Sequence, residues 1–159
     1  MKVKVSDLRI GKMKYDFLFL NNYLLQGGKE NRKITNGPHY KLLAEYEKNP
    51  ELDLKKTDYF KFAKRHMDFF GSWFGYHNED GLIKFMKQFL SLYKNIKENG
   101  YNYSKGKIIV FRTVINKKSV DKYARPHPPT KTYTPEDYEI FEGHHRAAIL
   151  AKLAYKEIE

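Results

Sequence analysis

The chain has 159 residues, 41% hydrophobic and 16% aromatic, and its 30 Lys and Arg against 19 Asp and Glu give a formal net charge of +11. That composition excludes a disordered chain and suits one domain, residues 1–159, with a core of its own. The absence of cysteine excludes disulfides, thiolate metal sites and thiol catalysis. The longest apolar run is the five residues Ala147–Ala151, too short for a membrane span or a signal-peptide core.

Lys2–Val5 alternates like a short strand, and Asp7–Ile10 either extends it or begins a turn. The polar tract from Gln26 to Lys33, with Gly27 and Gly28, reads as a loop. Helical signals follow. Asn36-Gly37-Pro38 opens the amphipathic segment HYKLLAEYEK. Thr57-Asp58 caps a second helix running to about Phe70. Asp80 is the expected cap of a third, whose stripe includes Leu82, Met86, Phe89, Leu90, Tyr93 and Ile96, with Asn99-Gly100 as its stop. The tract DFFGSWFGYH, residues 68–77, joins the second helix to the third. No basic residue lies within Asp68–Tyr76, so its aromatics are expected in the core more than stacked on bases.

Strand character returns over Lys107–Ile115, which is rich in β-branched residues. Arg125-Pro126-His127-Pro128-Pro129 must be a loop, because its prolines suit neither helix nor sheet interiors. Tyr138–Phe141 alternates as a half-buried strand, Ala147, Leu150, Ala151 and Ala154 recur at helical spacing, and Lys156–Glu159 reads as a last edge strand. The order is strand, helical middle, strand, loop, strand, turn, helix: an α+β domain with a helical insertion at about residues 36–100.

The polar run Glu142-Gly143-His144-His145-Arg146 therefore falls at a strand-to-helix turn, where first-turn N–H groups lack intrahelical partners and anions bind. Gly143 lets the backbone turn tightly or approach a phosphate. Arg146 suits phosphate oxygens with its planar fork, or else an ion pair with Glu139 or Glu142. His144 and His145 are not expected to be core residues together, since consecutive side chains diverge. Either one could donate to a phosphate or shuttle a proton. Glu142 could hold Mg²⁺ together with phosphate oxygens, act as a base toward a substrate hydroxyl, or merely favour the helix dipole.

With the alanine-rich helix after it, EGHHR resembles the hallmark of the ParB/sulfiredoxin superfamily. Sulfiredoxins carry Gly-Cys-His-Arg there, partition CTPases Gly-Glu-Arg-Arg, and free-serine kinases Asp-Gly-His-His-Arg, from which Glu142 alone departs. VKVSDLRIG is similar to the family's opening strand, and the resemblance covers residues 1–16 and 107–159. It implies a small mixed sheet with helices, and nucleotide phosphates cradled by Gly143, His144, His145 and Arg146. It also implies a further acid from the N-terminal half, with Asp7 ranked before Asp16 and Glu30, and a second phosphate or substrate contact from Arg9 or Lys12. Without a cysteine, sulfinate rescue is not expected. Without a following helix-turn-helix domain, neither is a partition clamp.

The implied activity is Mg²⁺-dependent transfer of phosphate from ATP, ADP or CTP to a small hydroxyl-bearing metabolite. Glu142, Asp7 and His145 are its candidate catalytic residues, and Glu142 its metal contact. The alternative is a nucleic-acid-binding or nucleotide-sensing module without kinase activity. It rests on the positive charge, which is +5 over residues 1–36, +2 over 37–100 and +4 over 101–159. No membrane partner is expected, and a cytoplasmic location is the default.

Overall fold

The computed structural model describes residues 2–10, 33–112 and 138–158. Within these, helices and strands mix as an α+β arrangement. The strands are β1 (Val3–Lys4), β2 (Leu8–Ile10), β3 (Ile109–Arg112), β4 (Tyr138–Glu142) and β5 (Glu157–Ile158). The helices are α1 (Pro38–Lys48), α2 (Asp58–Phe70), α3 (Glu79–Asn99) and α4 (His144–Lys152). Helices α1 to α3 thus occupy the middle of the chain, between β2 and β3.

The described strands form two small sheets. In one, β4 lies between β2, which runs parallel to it, and β3, which runs antiparallel, with Ile10 opposite Ile140 and Val110 opposite Ile140 on the other side. In the other, β1 and β5 pair antiparallel, Val3 facing Ile158. Asp7–Ile10 is therefore no extension of the first strand. Val5–Asp7 makes a 3₁₀ turn, which redirects the chain so that Leu8–Ile10 joins the second sheet. The last edge strand is present at Glu157–Ile158. Of the expected strand 107–115, Ile109–Arg112 is formed, and residues 113–115 lie outside the described residues. Outside them too lie the RPHPP loop, Lys12, Asp16, Glu30 and most of the 26–33 tract.

Each helix starts where its local chemistry allows. Pro38 occupies the first turn of α1, where its missing N–H costs nothing. At α2 the Thr57 hydroxyl accepts from the Phe60 N–H at 3.1 Å, and Gly71 closes the helix in the left-handed region at φ 80°. The cap of α3 is Asn78, not Asp80: the Asn78 side chain accepts from the Gly81 N–H at 2.8 Å and leaves Asp80 inside the first turn. There Asp80 favours the helix dipole.

The apolar stripe of α3 is buried as its spacing requires, Leu82, Met86, Phe89, Leu90, Tyr93 and Ile96 all lying in the core. Each such side chain contributes about 1.5–3 kcal/mol of transfer free energy. They share one cluster with Leu42, Leu43, Tyr59, Ile140, Ile149 and Leu150, so the helices, the sheet and α4 are packed on a common core. The aromatic tract departs from expectation. Trp73 is buried, but Phe69, Phe70 and Phe74 are 61%, 55% and 60% exposed. Phe69 and Phe70 end α2 on its exposed side, and Phe74 is exposed at the turn that it makes with Gly75.

Candidate functional site

The EGHHR run adopts the predicted geometry. Strand β4 ends at Glu142, Gly143 takes φ 91° in the left-handed region, and α4 begins at His144. That backbone favours glycine, and space demands it as well: a Cβ on Gly143 would lie 3.1 Å from the Ile108 Cα and the Lys107 carbonyl oxygen. No side chain among the described residues caps α4, whose first bond in the helical pattern is Ala147 N–H to the Gly143 carbonyl at 2.9 Å. The N–H groups of His145 and Arg146, in the first turn, are the ones an anion would meet.

A cavity of about 490 Å³ opens beside this turn. Helix α3 and the hairpin before it contribute Phe74, Phe85, Gln88, Phe89 and Leu92. Lys107 and residues Glu142–Arg146 contribute the rest. One part is thus aromatic, and the other carries two cations, one exposed carboxylate and a helix N-terminus. Arg146 reaches across to the 101–108 segment, where a Cβ on Gly106 would collide with its guanidinium. That segment is held in turn by the Tyr101 hydroxyl, which donates to the Gly106 carbonyl, and burial pushes the Tyr101 hydroxyl pKa up.

The two histidines both turn inward, contrary to the expectation that they diverge. His144 is buried and His145 partly so. Both rings meet a third imidazole. His39, from the first turn of α1, stacks on His144 at 6.0 Å and meets His145 edge-on at 4.5 Å. Burial, then the neighbouring His145 and His144, holds His39 well below the ordinary imidazole pKa. Burial, then the charges of His144 and Arg146, pulls His145 down to about 3. Both rings are therefore neutral at physiological pH.

His145 is further fixed by the Tyr59 hydroxyl, 2.6 Å from its Nε2. Phe89, Phe85 and Phe74 surround it with ring centroids at 4.7, 5.3 and 5.4 Å. A ring tied at Nε2, boxed by aromatics and held neutral is suited to shaping the pocket more than to exchanging protons.

The structure brings together Glu142, Gly143, His144, His145 and Arg146, and it places Asp7 and Arg9 elsewhere. Asp7 accepts from the Ser6 hydroxyl at 3.0 Å in the turn before β2. Arg9 is buried on β2, donating from Nη1 to the carbonyls of Ser6 and Leu8 at 2.7 and 3.1 Å. It lines a separate cavity with Lys4, Lys33 and Lys156. Among the described residues no group of three or more His, Asp or Glu side chains could hold a metal ion, and no helix is long and apolar enough to cross a membrane.

Sequence reasoning missed His39, Tyr59, Phe85, Gln88 and Lys107. Of these, Lys107 had a local signal, its place beside Gly106 before a strand. The others reach the site through helix packing, which no spacing announces.

Fold and site together define a mixed α+β protein with an aromatic-and-cationic pocket at a strand-to-helix turn. Compared with models of protein families, with curated proteins and with solved structures, the chain matches none of them.

Proposed function

We propose that the chain is a ParB/sulfiredoxin-like nucleotide-binding protein that transfers phosphate, with Mg²⁺, to a small hydroxyl-bearing metabolite. The observation that carries this reading is the junction, in one pocket, of aromatic rings with the α4 N-terminus, Lys107 and Arg146. A nucleotide has the same two halves, a flat apolar base and a chain of anionic phosphates. The phosphates would take the first-turn N–H groups of α4 and the guanidinium of Arg146. The resemblance of EGHHR to the free-serine kinase motif, and the mixed sheet whose middle strand leads into that turn, agree with it.

Glu142 fits Mg²⁺ in a limited sense. It is a single exposed carboxylate at the pocket, so it could complete a metal brought in by phosphates, but it could not build a resident site. Magnesium, when bound, neutralises phosphate charge during transfer. The same carboxylate could instead orient the acceptor hydroxyl, and catalysis would then come mainly from positioning. His145 is given a positioning role, because its ring is neutral and tied to Tyr59.

The test is a thermal-shift panel with ATP, ADP, CTP and GTP, with and without Mg²⁺, on the wild type and Arg146→Ala. A ligand that binds only the native state raises its stability. Stabilisation that the variant loses supports the reading; no shift with any nucleotide refutes it.

A second reading, nucleic-acid binding without kinase activity, is favoured by one observation. Lys61, Arg65 and Phe69, spaced four apart on α2, are all exposed. Rings and cations on one helix face suit a single strand. Binding of this kind falls steeply with salt, and its absence at low salt would exclude the reading.

A further inference from the structure

The hairpin that brings Phe74 to the pocket is built against local preference. Trp73 and Tyr76 exchange backbone hydrogen bonds at 2.8 and 2.9 Å around two inner residues, Phe74 at φ 48° and Gly75 at φ 81°. Positive φ at both inner positions is the type I′ geometry, which favours Asn, Asp or Gly. Gly75 obeys that rule. Phe74 does not, since a bulky side chain in the left-handed region crowds its own carbonyl.

Burial does not explain the exception. Trp73 anchors the hairpin at 2% exposure, whereas Phe74 is 60% exposed. What Phe74 does have is a position. Its ring lies nearly parallel to that of Phe85, at 9° and 4.8 Å between centroids, and both line the pocket that ends at Arg146. Gln88, one helical turn beyond Phe85 in α3, lines it too, and its side-chain oxygen accepts from the Tyr76 hydroxyl at 3.4 Å. An open aromatic face beside an amide offers stacking to a planar ring and hydrogen bonding to its edge.

We infer that Phe74 is a base-stacking residue of this pocket, so that its ligand is an anion with a planar heterocyclic head and not a bare polyphosphate. The inference rests on the phosphate site proposed above, and it adds the group that selects what the phosphates carry. Every nucleobase has a π-face, so stacking by itself tolerates any of the bases. Gln88 is then the side chain placed to discriminate between them.

The experiment titrates ATP and inorganic tripolyphosphate, by calorimetry, into the wild type, Phe74→Asn, Phe74→Leu and Phe74→Tyr, with a melting curve for each. Asn suits the turn. Phe74→Asn should therefore hold or raise the melting temperature while weakening ATP about tenfold and leaving tripolyphosphate unchanged. Phe74→Leu should weaken ATP similarly, and Phe74→Tyr, which keeps a flat ring, should bind as the wild type does. If Phe74→Asn were to lose its fold, the Leu and Tyr pair would still separate stacking from apolar packing. Equal wild-type affinity for ATP and tripolyphosphate, or ATP affinity indifferent to Phe74→Asn and Phe74→Leu, overturns the inference and leaves the phosphate site standing. Binding of neither ligand by the wild type overturns both.

Discussion

The hydroxyl of Tyr59 and Nε2 of His145 lie 2.6 Å apart, joining residues 86 positions distant in the sequence. That separation is ordinary for an O–H donor, and an imidazole carrying its proton on Nδ1 would accept there from the Tyr59 hydroxyl. Tyr59→Phe keeps the ring in the core and removes one hydrogen bond. It should cost about 1 kcal/mol of stability. If the bond also aims His145 at the pocket, ATP affinity falls several-fold and the nitrogen chemical shifts of His145 lose their single-tautomer signature. Unchanged affinity and tautomer would leave Tyr59 a packing residue alone.

Two glycines near the site should respond differently to alanine. Gly143 sits at φ 91° with backbone atoms of residues 107 and 108 against it, and neither can give way. Gly143→Ala should therefore destabilise the fold by about 1–2 kcal/mol. Gly106 is crowded instead by the end of the Arg146 side chain, which can swing aside. Gly106→Ala should leave the melting temperature nearly unchanged while lowering ATP affinity toward that of Arg146→Ala. A Gly106→Ala variant that binds ATP normally would show that the guanidinium does not need its present position.

These contrasts show what the sequence could and could not convey. The EGHHR turn was legible because all its determinants are local: strand alternation before it, one glycine, helical spacing after it. The Thr57 cap and the α3 stripe were legible for the same reason. The cap lies at Asn78 and not at the expected Asp80, because either side chain can cap and the position depends on where the Trp73–Tyr76 hairpin releases the chain. The inward turn of both histidines required His39, which reaches them across the packing of α1 on α4. The exposure of Phe69, Phe70 and Phe74 was not readable either. Composition counts rings, whereas their position at the end of α2 exposes Phe69 and Phe70, and the turn at Gly75 decides where Phe74 lies.

Glu47 provides a test of stability apart from binding. Its carboxylate joins three helices: Lys152 of α4 lies 2.6 Å away, Lys97 of α3 3.3 Å, and the Tyr93 hydroxyl donates to it. The bonds from Lys152 first and Tyr93 second hold its pKa down at about 2. The side chain is about one-third exposed, so solvent screens much of this gain. Glu47→Gln should cost about 1 kcal/mol, by thermal or urea unfolding, and leave ATP affinity unchanged. A loss of affinity would mean that the α1–α4 contact transmits to the pocket.

The histidine cluster fixes how stability should depend on pH. His39 and His145 have folded pKa values below the ordinary 6.5, the latter at about 3, so both are neutral in the native state while their unfolded counterparts bind protons first. The unfolded chain then holds more protons below pH 6.5. Stability is complete above that value and falls as the pH drops below it, for His145 down toward 3, by up to about 1.4 kcal/mol per pH unit for each histidine. Glu47 adds a second loss with the same sign, beginning near pH 4.5 and extending toward 2. Urea unfolding at steps from pH 8 to pH 4 should show the first loss, and its slope should decrease by one histidine in His39→Leu. A wild-type midpoint that stays level between pH 7 and pH 5 would mean that these imidazoles are not held neutral, and the account of His145 as a fixed, uncharged wall of the pocket would fail with it.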